Sequence, residues 1–171
     1  PILARACKGH LAVPAGKHTG TCPAAGMAVI RGYSGKEAAG IVIDSRKVEP
    51  GDIFVAIRGE RVDGHQFIRE VFDKGAIAVV CEEEPEELPG PCIRVEDSLA
   101  ALRQIAAFYR EQMPIPIVGI TGSVGKTSTK EFVASVLAQK YKTHKTQGNF
   151  NNEIGVPLTL LAMPEDTEAA V

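Results

Sequence analysis

The sequence predicts an α/β fold, on three observations. Between residues 41 and 112, short β-rich apolar runs alternate with stretches of helical spacing. The proline-rich break Met113-Pro114-Ile115-Pro116 then interrupts the chain. After it, the apolar run Ile115–Ile120 leads straight into Thr121-Gly122-Ser123-Val124-Gly125-Lys126-Thr127-Ser128, followed by a second helical pattern.

Taken in order, residues 2–8 form a short helix candidate ending at Gly9, and residues 10–35 are rich in Gly, Pro, Thr and Ala, with turns and room for one short hairpin. Ile41-Val42-Ile43 and Ile53–Ile57 read as strands on either side of the turn signal Glu49-Pro50-Gly51-Asp52. A helix is expected from about Gly64 to Lys74, with Phe67, Ile68, Val71 and Phe72 on one face and Gly75 as its C-terminal stop. Ala76–Cys81 is the next strand, and the acidic stretch Glu82–Glu87 reads as a solvated loop. Cys92–Val95 is a further strand. Asp97 or Ser98 then caps a helix running to Gln112, with Leu99, Leu102, Ile105, Ala106 and Tyr109 spaced to face a core.

The domain boundary is placed at the proline break, giving domains 1–112 and 113–171. In the second, Ile115–Ile120 is a strand and 125–140 a helix with Phe132, Val133, Val136 and Leu137 as its buried stripe. The chain starts at Pro1 without a methionine and stops at Glu168-Ala169-Ala170-Val171, which reads as a strand just beginning, so a piece of a longer polypeptide is expected.

Composition narrows the function classes. Of 171 residues, 44% are hydrophobic and 23% charged, and the net charge is −2, as in ordinary soluble proteins. The longest apolar run, Ala76–Cys81, is far below the ~20 residues of a membrane helix, and the N-terminus shows no secretory leader. Residues 1–50 carry 7 basic and 3 acidic groups, 51–113 carry 7 and 13, and 114–171 carry 5 of each. None of these is a nucleic-acid-binding arm, and with no Trp and three Tyr a base-stacking platform is not expected. Cys7, Cys22, Cys81 and Cys92 contain no Cys-x-x-Cys pair and read as reduced structural thiols. His10, His18 and His144 read as surface residues.

Residues 121–128 carry the strongest chemical signal. Glycines let successive backbone N–H groups turn inward around an anion, and the helix that starts there presents its dipole and unpaired N–H groups to it. Lys126 is placed to reach phosphates and the Thr127 hydroxyl to hold Mg²⁺. The spacing departs from Gly-x-x-x-x-Gly-Lys-Thr, because position 120 is Ile; Gly122 supplies the extra freedom instead.

This shortened loop resembles that of the Mur ligases. So does Thr146-Gln147-Gly148-Asn149-Phe150-Asn151-Asn152-Glu153-Ile154-Gly155-Val156-Pro157-Leu158-Thr159-Leu160-Leu161, which is most similar to the members that add D-alanyl-D-alanine. Asp44–Ala56 and Gly59–Phe67 are similar to the family's UDP-binding domain. The resemblance implies a UDP-binding α/β domain followed by the opening of a P-loop ATP-binding domain. It also implies a cytoplasmic step of peptidoglycan synthesis in which ATP and Mg²⁺ drive attachment of D-Ala-D-Ala to UDP-MurNAc-tripeptide through an acyl phosphate.

By that resemblance Thr121, Gly122, Ser123, Val124, Gly125, Lys126, Thr127 and Ser128 bind ATP, with Lys126 catalytic and Thr127 on the metal. Ser45, Arg46, His65, Gln66, Phe67, Asn149, Asn151 and Asn152 line the UDP-substrate site. Plainer readings stand beside these: His65 as a helix residue of no special role, and the three Asn as turn formers. The partners implied are small molecules, bound by a monomer without nucleic acid or membrane insertion. The family's glutamate for Mg²⁺, modified lysine and adenine pocket lie downstream of Val171, so the chain alone is expected to be inactive as a ligase. The alternatives are a non-catalytic UDP-sugar-binding module, or another Mur-type or folylpolyglutamate-type P-loop ligase.

Overall fold

The computed structural model describes the backbone of residues 29–31, and residues 38–59, 62–87, 89–148 and 150–171. The helix candidate at 2–8, Cys7, Cys22, His10, His18 and Asn149 lie outside the described residues.

The larger sheet has five strands: β1 (Val29–Arg31), β2 (Ile41–Val42), β3 (Ile53–Val55), β4 (Ala78–Cys81) and β5 (Cys92–Arg94), in spatial order β1-β5-β4-β3-β2. β2 to β5 are mutually parallel where they pair, whereas β1 runs antiparallel to β5, with Ile30 opposite Ile93. β1 falls in the stretch where the sequence offered only turns and a hairpin, because three residues before Gly32 are too few to establish a two-residue period.

Both faces of the sheet are covered, as a parallel sheet requires. Ile53, Val55, Ala78, Val80, Ile93 and Val95 face one core, closed by Leu102, Ile105, Ala106 and Tyr109 of α2 (Ser98–Glu111). The alternate residues Phe54, Ala56, Val79, Cys81 and Cys92 face the other, closed by Ile68 and Val71 of α1 (Ile68–Asp73). α1 is shorter than expected because its first turn, Gly64–Phe67, is 3₁₀, capped by the Asp63 carboxylate on the His65 amide at 2.9 Å. Gly75 does end it, with φ at +97°; the Gly75 and Ala76 amides donate to Phe72 and Val71 carbonyls at 2.9 Å each, the paired bonds of a left-handed helix stop. Asp97, rather than Ser98, caps α2, accepting from the Leu99 and Ala100 amides.

Cys81 and Cys92 are buried thiols not joined in a disulfide, with sulfurs 2.7 Å apart. Contact with Cys92 and burial push the Cys81 thiol far up from its ordinary range, which leaves it little nucleophilic character.

The second part contains α3 (Lys126–Leu137), β6 (Thr143–His144), α4 (Gly155–Leu161) and β7 (Ala169–Ala170). β6 and β7 pair in parallel, so the expected strand at the end of the chain is present. The expected strand Ile115–Ile120 is not a full strand: one parallel bridge, Ile117 to Ala170, and the 2.9 Å bond from the Val118 amide to the Ala170 carbonyl hold it. β7 lies along one of its edges and, among the described residues, no strand lies along the other, so the ladder does not propagate.

The stripe expected on α3 also needs correction. Lys130 and Ala134 are buried and Val133 and Leu137 half-buried, while Phe132 is 73% and Val136 71% exposed. At 100° per residue, positions 132 and 136 lie almost opposite Ala134, so the four apolar residues occupy two faces and one face is packed.

The core continues across the proline break. Leu161, Met163 and Ala170 join the cluster built on α2, and the Tyr109 hydroxyl donates to the Met163 carbonyl at 3.0 Å.

Candidate functional site

Two groups of residues stand out, each at the carboxyl end of parallel strands, where open α/β sheets take their ligands. The first is built on two similar turns. β2 leads into Asp44 and a 3₁₀ turn, Ser45–Lys47; β3 is followed in the chain by Asp63 and the turn Gly64–Phe67. In each, the Asp carboxylate accepts the amide two residues on and also grips that residue's side chain. Asp44 holds Arg46 at 2.9 and 2.7 Å, and Asp63 holds His65 Nδ1 at 2.6 Å. The side-chain and backbone hydrogen bonds from Arg46 hold the Asp44 carboxyl down at about 2. Asp63 is likewise lowered, first by the His65 amide and then by the His65 ring.

Arg46 stays exposed, Ser45 is buried, Gln66 is exposed, and Phe67 packs half-buried against the α1 core. His65 is more engaged than the sequence suggested. Its Nε2 accepts from the Glu82 amide at 2.9 Å, so the ring proton sits on Nδ1 and points at Asp63. Both ring nitrogens are therefore used within the protein, and the ring ties the 63–67 turn to the loop after β4.

That acidic loop is not merely solvated. Glu82 accepts from the Ser98 amide at 3.0 Å, and Glu83 pairs with Arg58 at 2.7 Å, which lowers the Glu83 carboxyl. Sequence reading missed Arg58, Asp63 and Glu82 in this network. The repeated pattern of an Asp two residues before a side-chain donor was its available signal.

The second group surrounds residues 121–128. The loop is open: Val124 is 93% exposed, and Gly122 and Gly125 adopt φ of +145° and +79°, which an L side chain rarely allows. A Cβ on Gly125 would meet nothing within 4 Å, so these glycines serve the backbone path rather than a crowded contact. Gly125 is the N-cap of α3, and no side chain caps the helix end. The exposed Lys126 ammonium donates to the Gly122 carbonyl at 2.6 Å, lying across the mouth of the loop.

Beside it is a cavity of about 200 Å³ in which Lys126, Thr127, Lys130 and Asn151 line one part and apolar side chains, among them Ile120 and Leu160, line the rest. These features fit a nucleotide phosphate group: two positive-φ glycines, a helix start with no side-chain cap, a lysine ammonium and a hydroxyl.

The structure thus divides the expected site residues. Ser45, Arg46, His65, Gln66 and Phe67 share the first group, while Asn151 lies with the phosphate loop. Asn152 accepts from the Ile154 and Gly155 amides at 3.3 and 2.7 Å, so its carbonyl oxygen caps α4. Between the groups, Arg103 of α2 pairs with Glu153. His144 is half-buried rather than a surface residue, its Nε2 bonded to the Thr159 carbonyl at 3.1 Å; burial lowers its pKa. Lys130, four residues after Lys126 and on the same helix face, also went unread.

A strand-like run, a glycine loop, Lys-Thr and a helix at this edge of a parallel sheet define the phosphate-loop class of α/β proteins. Residues 37–110 match the catalytic domain of the Mur ligase family and residues 120–171 the Mur ligase middle domain; the chain belongs to the Mur ligase family. It is 45% identical over 137 residues to the UDP-N-acetylmuramoyl-tripeptide–D-alanyl-D-alanine ligase of Bacillus subtilis, covering 77% of this chain and 29% of that protein. The ligase of the same name from Synechocystis is 50% identical over 133 residues, with the same coverage. Among solved structures, MurF from Acinetobacter baumannii superposes with a TM-score of 0.73 at 39% identity, covering 77% of this chain and 29% of that one. MurF ligase from Thermotoga maritima in complex with ADP gives 0.70 at 38% identity, covering 77% and 30%. The chain therefore spans under a third of the length of these relatives.

Among the described residues no helix is long and apolar enough to cross a membrane.

Proposed function

We propose that this chain is the UDP-substrate and phosphate-loop portion of an ATP-dependent amide-bond ligase, which joins D-Ala-D-Ala to UDP-MurNAc-tripeptide in the cytoplasm during peptidoglycan precursor synthesis. The observation that carries this reading is the uncapped start of α3, with Lys126 and Thr127 on the cavity beside it. The specific acceptor follows from relatives that bear the D-alanyl-D-alanine ligase name at 38–50% identity.

In this reading residues 1–112 hold the UDP-linked peptide and residues 113–171 open the ATP-binding domain. The family matches, which end at residue 110 and resume at 120, support that division. The terminal carboxylate of the tripeptide attacks the γ-phosphorus of ATP and ADP departs, leaving an acyl phosphate. The amine of D-Ala-D-Ala then attacks the acyl carbon; phosphate leaves and the amine gives up its proton.

The amides of 122–127 and the Lys126 ammonium hold the phosphates and offset the charge that spreads over their oxygens during transfer. The Thr127 hydroxyl would supply one oxygen to a Mg²⁺ ion, whose charge would screen the phosphate oxygens. Around the uridine, Arg46, Gln66 and the Phe67 ring supply polar and stacking contacts from turns fixed by Asp44 and Asp63, and His65 keeps the second turn in register. The protein acts as a monomer on these small molecules.

The test is a ligation assay of the complete ligase polypeptide. Sustained ADP formation, beyond a single turnover, should require both UDP-MurNAc-tripeptide and D-Ala-D-Ala and keep step with the pentapeptide product. Equal or greater turnover with single amino acids would instead assign the chain to another ligase of the family.

A further inference from the structure

Lys130 is an unusual residue for the second turn of a helix beside an open loop. It is charged yet only 8% exposed. A lysine ammonium is strongly hydrated, and one withdrawn from water needs partners that replace that hydration. Here they are backbone carbonyls of a distant segment: Nζ donates to the Thr146 carbonyl at 2.7 Å and the Gly148 carbonyl at 3.2 Å, with Glu131 Oε1 at 3.4 Å.

The segment it grips has modest support of its own. The Thr146 amide donates to the Val171 carbonyl at 3.1 Å, and the Phe150 amide to the Gln147 carbonyl at 3.3 Å. Three residues beyond Gly148 comes Asn151, on the cavity that Lys126, Thr127 and Lys130 also line. Lys126 and Lys130 are one helical turn apart, so the same face of α3 presents one ammonium to the Gly122 carbonyl at the loop mouth and a second to the 146–148 carbonyls.

We propose that Lys130 is a positioning residue: it straps the 146–148 segment to the phosphate-loop helix and thereby holds Asn151 at the edge of the cavity beside that loop. The inference rests on the proposed ligase reading for its catalytic consequence and on geometry alone for the strap. Lys130 itself contacts no reacting atom. Its ammonium replaces a hydration shell with carbonyls whose positions it then fixes, so loop and helix keep one relative arrangement as the cavity fills and empties.

Two measurements test this. In the 171-residue chain, Lys130→Met should speed amide hydrogen exchange at Thr146 and Phe150 by about tenfold or more, leave Leu102 and Ile105 in the core unchanged, and be largely reversed in Lys130→Arg. Unchanged exchange at Thr146 and Phe150, or equal acceleration throughout the chain, would overturn the strap. In the complete ligase, Lys130→Met should lower kcat with little change in KM for ATP. It should have no further effect once Asn151 is Ala, because the two act through one arrangement. Additive losses in that double-mutant cycle would overturn the link to Asn151. If the wild-type protein fails to ligate, the ligase reading fails, and hydrogen exchange still decides the strap.

Discussion

Lys126→Ala in the complete ligase is expected to cut turnover by about 10²–10³-fold, the usual cost of removing one pre-placed donor from a site of developing charge. The thermal midpoint should hardly move. Lys126 lies at the exposed start of α3, and its one hydrogen bond, to the Gly122 carbonyl, crosses the mouth of an open loop. Alanine is also at least as good a helix former. The loss should appear in ADP release and in ligation alike, because both depend on placing the γ-phosphate. A variant with wild-type turnover would remove Lys126 from the proposed chemistry and leave the loop a helix cap.

The second large effect is on stability. Phe54→Ala should destabilise the chain by about 3–5 kcal/mol, as truncation of a fully buried Phe does. Phe54 is 0% exposed on β3, between parallel β2 and β4, and is the largest fully buried side chain among the described residues. It faces the smaller of the two cores, covered among the described residues by the short α1 and Phe67 of the turn before it, so little is at hand to refill the space. Total stabilities of such domains run at about 5–15 kcal/mol, so this is a large fraction. Urea denaturation should show a lower midpoint with an unchanged slope. The 63–67 turn rests on this core through Phe67, so a weakened UDP site should accompany the loss. A change below about 1 kcal/mol would mean that the site is not close-packed.

The main strands, α2 and the stop at Gly75 were legible because they obey local rules: a continuous apolar run for a strand buried on both faces, a helical stripe, and a glycine where φ turns positive. The phosphate loop was legible because a short motif must coincide with a strand-to-helix junction. What was not legible depends on partners far along the chain. β1 exists only through its pairing with β5. The split face of α3 shows only when β6 and the 146–148 segment settle against Lys130 and Ala134. The ties of His65 to Glu82, 17 residues on, and of Lys130 to Thr146, 16 residues on, carry no periodic signature. Asn152 shows the opposite limit, since a composition that suggested substrate contact proved to include a helix cap.

Two separate sites on this chain, a phosphate loop and a uridine edge, should be resolved by amide chemical-shift mapping of the ¹⁵N-labelled 171-residue chain, titrated separately with Mg-ADP and with UDP. Mg-ADP should move the amides of 122–128 and leave those of 44–47 and 63–67 in place, while UDP should do the reverse. Phosphate-loop amides unmoved by Mg-ADP, or a single set of residues responding to both nucleotides, would contradict the two-site arrangement.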